Sequence, residues 1–144
     1  MNKRMFAWML SFVLVFSMLS LALAQPPMVK EMVAKAKAAI KTVSAEDAKA
    51  AIDQKEKAVF LDVRDPQEYA AGHLPGAINV SRGTLEFGIW GKVQDQSAKI
   101  YVYCKTAGRS TLATKTLNDL GYKSAVLMDA QFEDWIKAGY PVER

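Results

Sequence analysis

The sequence predicts an α/β fold with a mainly parallel sheet flanked by helices. Three observations carry this. Residues 58–63, 77–80, 99–103 and 124–127 are short apolar runs of strand length, rich in β-branched and aromatic residues. Between them lie segments with helix-start and helix-stop residues, such as Asp65-Pro66 at one end and Gly121 or Gly139 at the other. The two kinds of segment alternate, and strands separated by helical crossovers pair in parallel.

The elements follow in order. Residues 28–43 are rich in Ala and Lys and read as an amphipathic helix, with Met28, Met32, Val33, Ala36, Ile40 and Val43 on one side. Ser44 caps a second helix with Asp47 at its third position, running to about Lys55. Residues 58–63 form a strand covered on both faces. Asp65 and Pro66 open a short helix, Gly72 to Gly76 turn the chain, and 77–80 form the next strand. Residues 84–90 make a short helix or an irregular link closed by Gly91. Residues 99–103 form a strand that runs into Cys104, and 110–120 a helix stopped by Gly121. A strand at 124–127 and a helix at 131–138, stopped by Gly139 and Pro141, complete the chain.

The 144 residues fit one domain. Residues 1–24 lie apart from it: Lys3 and Arg4 precede an uncharged apolar stretch that ends in Ala22-Leu23-Ala24, the pattern of a cleaved secretory signal peptide. The expected organisation is a signal peptide at 1–24, a helical extension at 25–43 and a folded domain at 44–144. A periplasmic or secreted protein follows, with no stable membrane insertion after cleavage. The rival reading is an uncleaved membrane anchor, since about 20 apolar residues just span a bilayer. Two of the 19 Lys and Arg residues, Lys3 and Arg4, belong to the leader. That leaves 17 against 15 acidic residues, a net charge of +2. Without a dense basic stripe or nucleic-acid motif, no nucleic-acid partner is expected.

Cys104 is the single cysteine, so no internal disulfide is possible. It opens the run Cys104-Lys105-Thr106-Ala107-Gly108-Arg109-Ser110, between a strand end and a helix start. A buried core cysteine is the plain reading, but Lys at the next position and Gly-Arg-Ser beyond it argue for a working thiol. A helix N-terminus and adjacent cations lower a thiol's pKa. Gly108 is expected to let the loop curl, turning backbone N–H groups inward as an anion nest. Arg109 adds a planar fork of donors, Lys105 a charge at the rim, and Thr106 and Ser110 hydroxyls. Ser110 reads equally well as a helix cap. In parallel sheets ligands gather at the carboxyl ends of strands, the edge that holds both Cys104 and Asp62-Val63-Arg64.

These residues resemble the rhodanese family of sulfurtransferases. The loop is similar to its active-site loop. The stretches from Leu61 to Tyr69 and from Gly72 to Val80 resemble its first signature, and Phe132-Glu133-Asp134-Trp135 with Ala138-Gly139-Tyr140-Pro141-Val142 its C-terminal one. The likeness runs from about Ser44 to Val142. One departure is Asp129-Ala130, where many members carry Gly-Gly. The resemblance implies a rhodanese-like three-layer fold. It also implies covalent catalysis in two steps: Cys104 takes the outer sulfur of a small anionic donor such as thiosulfate, then passes it from a persulfide to cyanide, a thiol or an acceptor protein. Residues Lys105, Thr106, Ala107, Gly108, Arg109 and Ser110 would hold the anion, and Arg64 is a further candidate to touch it. No metal or organic cofactor is implied, and one histidine without clustered partners is a poor metal site.

The remaining motif residues read as structural. His73 belongs to a turn, Asp62 and Arg64 to an ion pair or loop tether, Glu68 and Tyr69 to helix and core, and Trp135 to the core with Phe132 and Ile136. Phe87 and Trp90 would wall the pocket or fill the core. The nearest rival chemistry is a cysteine phosphatase, which needs Arg six places after the cysteine. Here Arg109 is fifth and Ser110 sixth. Two further functions compete with catalysis: a persulfide carrier or partner-binding module, and a redox sensor working through a Cys104 sulfenic acid.

Overall fold

The computed structural model describes residues 26–144, so the leader predicted at 1–24 lies outside the described residues. The chain divides into two units, 1–32 and 33–144. Of the first, only the start of helix α1 (Pro27–Ala38) is described. The second carries the whole sheet.

Five strands, β1 (Thr42–Val43), β2 (Ala58–Asp62), β3 (Ile78–Asn79), β4 (Lys99–Tyr103) and β5 (Ala125–Met128), lie in the order β1-β5-β4-β2-β3. All the pairings are parallel. The central pair β2–β4 is in register from Ala58 opposite Lys99 to Asp62 opposite Tyr103. Period-2 alternation sends Ile100, Val102 and Cys104 into one core with Leu61, Val63, Leu85, Ile89, Ala113 and Leu117. Tyr101 and Tyr103 go into the other, with Phe60, Val126, Met128, Phe132 and Trp135. Helices α4 (Leu85–Lys92) and α5 (Gly108–Asp119) therefore cover one face. Helices α2 (Ala45–Asp53) and α6 (Phe132–Lys137) cover the other, and the short α3 (Pro66–Ala71) follows β2. This is the expected three-layer α/β arrangement.

Local chemistry accounts for the helix ends. Ser44 and Asp47 form the expected reciprocal capping box, with Asp47 N–H on Ser44 Oγ at 3.0 Å and Ser44 N–H on the Asp47 carboxylate at 3.2 Å. Gly121 (φ +104°) and Gly139 (φ +72°) take the left-handed conformation after α5 and α6. Trp135 is fully buried and donates its indole N–H to the Pro141 carbonyl at 2.9 Å.

Four expectations are corrected. The first helix does not reach Val43: it ends at Ala38, and Thr42–Val43 pair with β5 as an edge strand. The sheet therefore begins inside the segment assigned to the helical extension. Gly91 lies within α4, which continues to Lys92. Phe87 and Trp90 neither fill the core nor close a cavity, being 91% and 57% exposed on the outer side of α4. Ile136 is half exposed, leaving Phe132 and Trp135 to anchor α6.

Candidate active site

Cys104 sits one residue past β4, where the strand's alternation turns its side chain into the α4/α5 core. The residue is fully buried. Its Sγ lies 3.3 Å from the Ser110 N–H, which donates to it, and 3.3 Å from Ser110 Oγ. Ser110 Oγ also donates to the Ala107 carbonyl at 3.0 Å. A hydroxyl has one proton, so Ser110 Oγ can donate to the carbonyl or to the sulfur, not to both at once. Ser110 is thus no helix cap. It lies in the first turn of α5 and touches the sulfur through both backbone and side chain.

The loop closes through Ala107, whose backbone is left-handed (φ +66°, ψ −17°). The curl expected at Gly108 falls one residue earlier. For a residue with a Cβ this conformation costs about 1–2 kcal/mol, offset here because the Ala107 carbonyl accepts Thr111 N–H (2.9 Å), Thr111 Oγ1 (2.7 Å) and Ser110 Oγ. A left-handed residue followed directly by the right-handed turn of α5 is a junction of the kind that forms an anion nest. Lys105 and Thr106 are exposed, Ala107, Gly108 and Arg109 half-buried, so the arch over the sulfur is thin. The Lys105 carbonyl ties it to α6 by accepting Phe132 N–H at 3.2 Å.

The two cations do not point free charge at the sulfur. Arg109 makes a bidentate pair with Glu68 of α3, at 2.7 and 3.0 Å, and lies 3.6 Å from Asp65. The Lys105 ammonium lies 3.6 Å from Glu133 of α6. Hydrogen bonding from Arg109, aided by the Asp65 N–H and opposed by burial, brings the Glu68 carboxyl down from 4.5 to about 2. A depressed carboxylate stabilises the folded state fully above its unfolded pKa, and that contribution fades as the pH falls through the folded value. The Glu68–Arg109 pair should therefore survive mild acid and break only near pH 2. A carboxyl-carbon NMR titration should place Glu68 about 2 in the wild type and near its ordinary value in Arg109→Ala. An ordinary value in the wild type would mean the pair is absent in solution.

Arg64, the further substrate-binding candidate, is already engaged within the fold. It is 4% exposed, and its guanidinium is spent on Asp62 of the same strand end and on the Gly72 carbonyl at 2.7 Å. It also lies over the Phe132 ring, 4.0 Å from its centroid. His73 stacks on Tyr69 and pairs through its backbone with Glu143, as a turn residue does. Glu68 and Glu133 are the site residues that sequence reasoning missed as partners of the loop. A groove of about 510 Å³, lined in part by Lys57, Val59, Val93, Asp95 and Lys99, opens at the starts of β2 and β4. That is the opposite sheet edge from Cys104, so it takes no part in the thiol's chemistry.

The chain is similar to several known proteins. The rhodanese-like domain pattern matches residues 44–138. Thiosulfate sulfurtransferase GlpE of Pseudomonas putida is 36% identical over 90 residues, covering 62% of this chain and 79% of GlpE. YrkF of Bacillus subtilis, named as a candidate sulfur carrier protein, is 29% identical over 67% of this chain, which spans only 51% of YrkF. Among solved structures, the polysulfide-sulfur transferase homodimer of Wolinella succinogenes is 32% identical with a TM-score of 0.69, covering 79% of this chain and 85% of that one. A Rhodopseudomonas palustris protein of unknown function, described as a possible tyrosine phosphatase, is 32% identical with a TM-score of 0.73, covering 84% and 99%. The parallel sheet, the loop after β4 and the matched residues have one consequence: the chain belongs to the rhodanese-like domain family.

Proposed function

We propose that the protein is a sulfurtransferase that moves a sulfane sulfur from a donor such as thiosulfate to a thiophilic acceptor through a persulfide on Cys104. The Cys104 thiolate attacks the donor's outer sulfur, a new S–S bond forms, the donor's own bond to that sulfur breaks, and sulfite leaves with the bonding pair. An acceptor thiol or cyanide then takes the outer sulfur and the thiolate returns. The observation that carries this reading is the paired approach of Ser110 N–H and Ser110 Oγ to a sulfur beneath a nest-forming loop. These donors favour negative charge on sulfur, whether thiolate or persulfide. Because Cys104 is fully buried, transfer requires the arch at 105–107 to give way to the donor. Mass spectrometry of the Cys104 peptide after thiosulfate treatment tests the proposal. A gain of one sulfur atom, lost on adding cyanide, is expected; an unmodified peptide after every sulfane donor would refute it.

The carrier reading differs only in the acceptor: slow turnover with cyanide beside rapid transfer to one protein would favour it. A phosphatase is disfavoured by the loop. The sixth residue after Cys104 is neutral Ser110, and the neighbouring Arg109 is held by Glu68. We further propose export to the periplasm or beyond, on the pattern of residues 3–24. A mature N-terminus at Gln25 is the expected result, and an intact Met1 in membrane fractions would favour the anchor.

A further inference from the structure

Charge at the mouth of the loop points to the kind of donor. The sequence leads one to expect two cations, Lys105 and Arg109, drawing an anion toward Cys104. In the folded chain three carboxylates have reached them first. Glu68 occupies both arms of the Arg109 fork, Asp65 stands 3.6 Å from the same guanidinium, and Glu133 stands 3.6 Å from Lys105. Two positive charges against three negative ones leave this collar at −1. What still favours a reduced sulfur is dipolar and short-range: the Ser110 N–H, the Ser110 hydroxyl and the start of α5. Such donors suit one sulfur atom. They do not compensate a whole dianion that must pass the collar, because Coulomb repulsion acts over the 8–10 Å of a Debye length while hydrogen bonds do not.

We infer that Glu68 and Glu133 are specificity-determining residues that disfavour dianionic donors, and that the preferred donor carries its sulfane sulfur on an uncharged or weakly charged group, as a small organic persulfide does. This rests on the sulfurtransferase reading above and refines its substrate class. The step balances: the Cys104 thiolate attacks the terminal sulfur of R–S–SH, a Cys104 S–S bond forms, the donor's S–S bond breaks, and R–S⁻ leaves with the electron pair and takes a proton from water. The moving sulfur undergoes no net redox change, and no further reactant is needed. Thiosulfate is the contrasting case, since it arrives and departs as a dianion.

The test compares kcat/KM for thiosulfate, a dianion, with kcat/KM for mercaptoethanol persulfide, which carries at most one negative charge, in the full-length wild type, Glu133→Gln and Glu68→Gln. The ratio of thiosulfate to persulfide should rise about three- to tenfold in each variant, the value expected for removing one carboxylate within a Debye length of a dianion. The gain should fall on the KM for thiosulfate, because the collar acts on approach and leaves the sulfur's own donors in place. Glu68→Gln also loosens Arg109, so Glu133→Gln, an exposed position at 53%, decides the matter. An unchanged or lower ratio in Glu133→Gln overturns the inference and leaves the sulfurtransferase proposal standing, provided either donor still loads Cys104. Failure of both donors to load Cys104 in the wild type would sink both.

Discussion

Cys104→Ser is expected to abolish sulfur uptake, lowering transfer by at least about a thousandfold, while the domain stays folded. The loss follows from the chemistry. A serine hydroxyl at neutral pH is a far weaker nucleophile than a thiol, and among the described residues no hydrogen bond joins this position to a general base. Ser110, the side chain in contact with the sulfur, carries no basic nitrogen or carboxylate, and the loop's two cations are paired with acids. The retained fold follows from the packing. The new hydroxyl is buried, but Ser110 N–H and Oγ offer it partners, so the cost is that of a reorganised hydrogen bond, about 1 kcal/mol. Sulfur transfer and a thermal melt on the same sample check both halves. An inactive variant that has also unfolded would say nothing of the nucleophile, so Ser110→Ala provides a second arm. It keeps the thiol and the backbone N–H, removes the hydroxyl, and should slow transfer about ten- to a hundredfold while the Cys104 peptide still gains sulfur. Full activity in Cys104→Ser would end the proposal.

The parts of this site that can be read along the chain are the local ones. Strand β4 is written in consecutive residues, so Lys99–Tyr103 is legible in full and Cys104 falls on its end, while α5 opens at Gly108, two residues before the expected start at Ser110. The Ser44–Asp47 box is legible for the same reason: both partners lie within one turn. The end of α1 is not. Apolar periodicity runs on through Ile40 and Val43, but residues 41–43 find unpaired backbone on the edge of β5, where Leu127 N–H reaches the Lys41 carbonyl and Asp129 N–H the Val43 carbonyl, both at 2.9 Å. Tertiary hydrogen bonding outweighs helical pattern there. The electrostatics of the loop are hidden more deeply. Arg109 and Glu68 stand 41 positions apart, and only the crossover from β2 to β4 brings α3 beside α5. The sequence displays a cation next to the thiol and conceals the acid that claims it. Ala107 shows a third limit: the adjacent glycine is the natural residue for a left-handed turn, and only the fold reveals that alanine bears the strain.

Asp62→Ala should destabilise the domain by about 3–5 kcal/mol, the largest stability effect expected from a single change at this sheet edge. Asp62 is wholly buried and Arg64 nearly so. Their ion pair is supplemented by the Arg64 backbone N–H on Asp62 Oδ1 at 2.9 Å, and the guanidinium lies over Phe132 and hydrogen-bonds the Gly72 carbonyl. Removing the carboxylate leaves a permanent cation in a site built to neutralise it, and arginine cannot escape by losing its proton. The paired change Asp62→Leu with Arg64→Met should be milder than either single loss, because no uncompensated charge remains. Urea unfolding of the single and double variants beside the wild type measures the coupling. The same set separates structure from binding at Arg64. If the guanidinium is a tether, the double variant, folded at low temperature, keeps the donor KM of the wild type although it melts earlier. A several-fold rise in KM with an unshifted melt would instead return Arg64 to the anion-binding residues, and would mean that the Asp62 pair opens when a donor arrives.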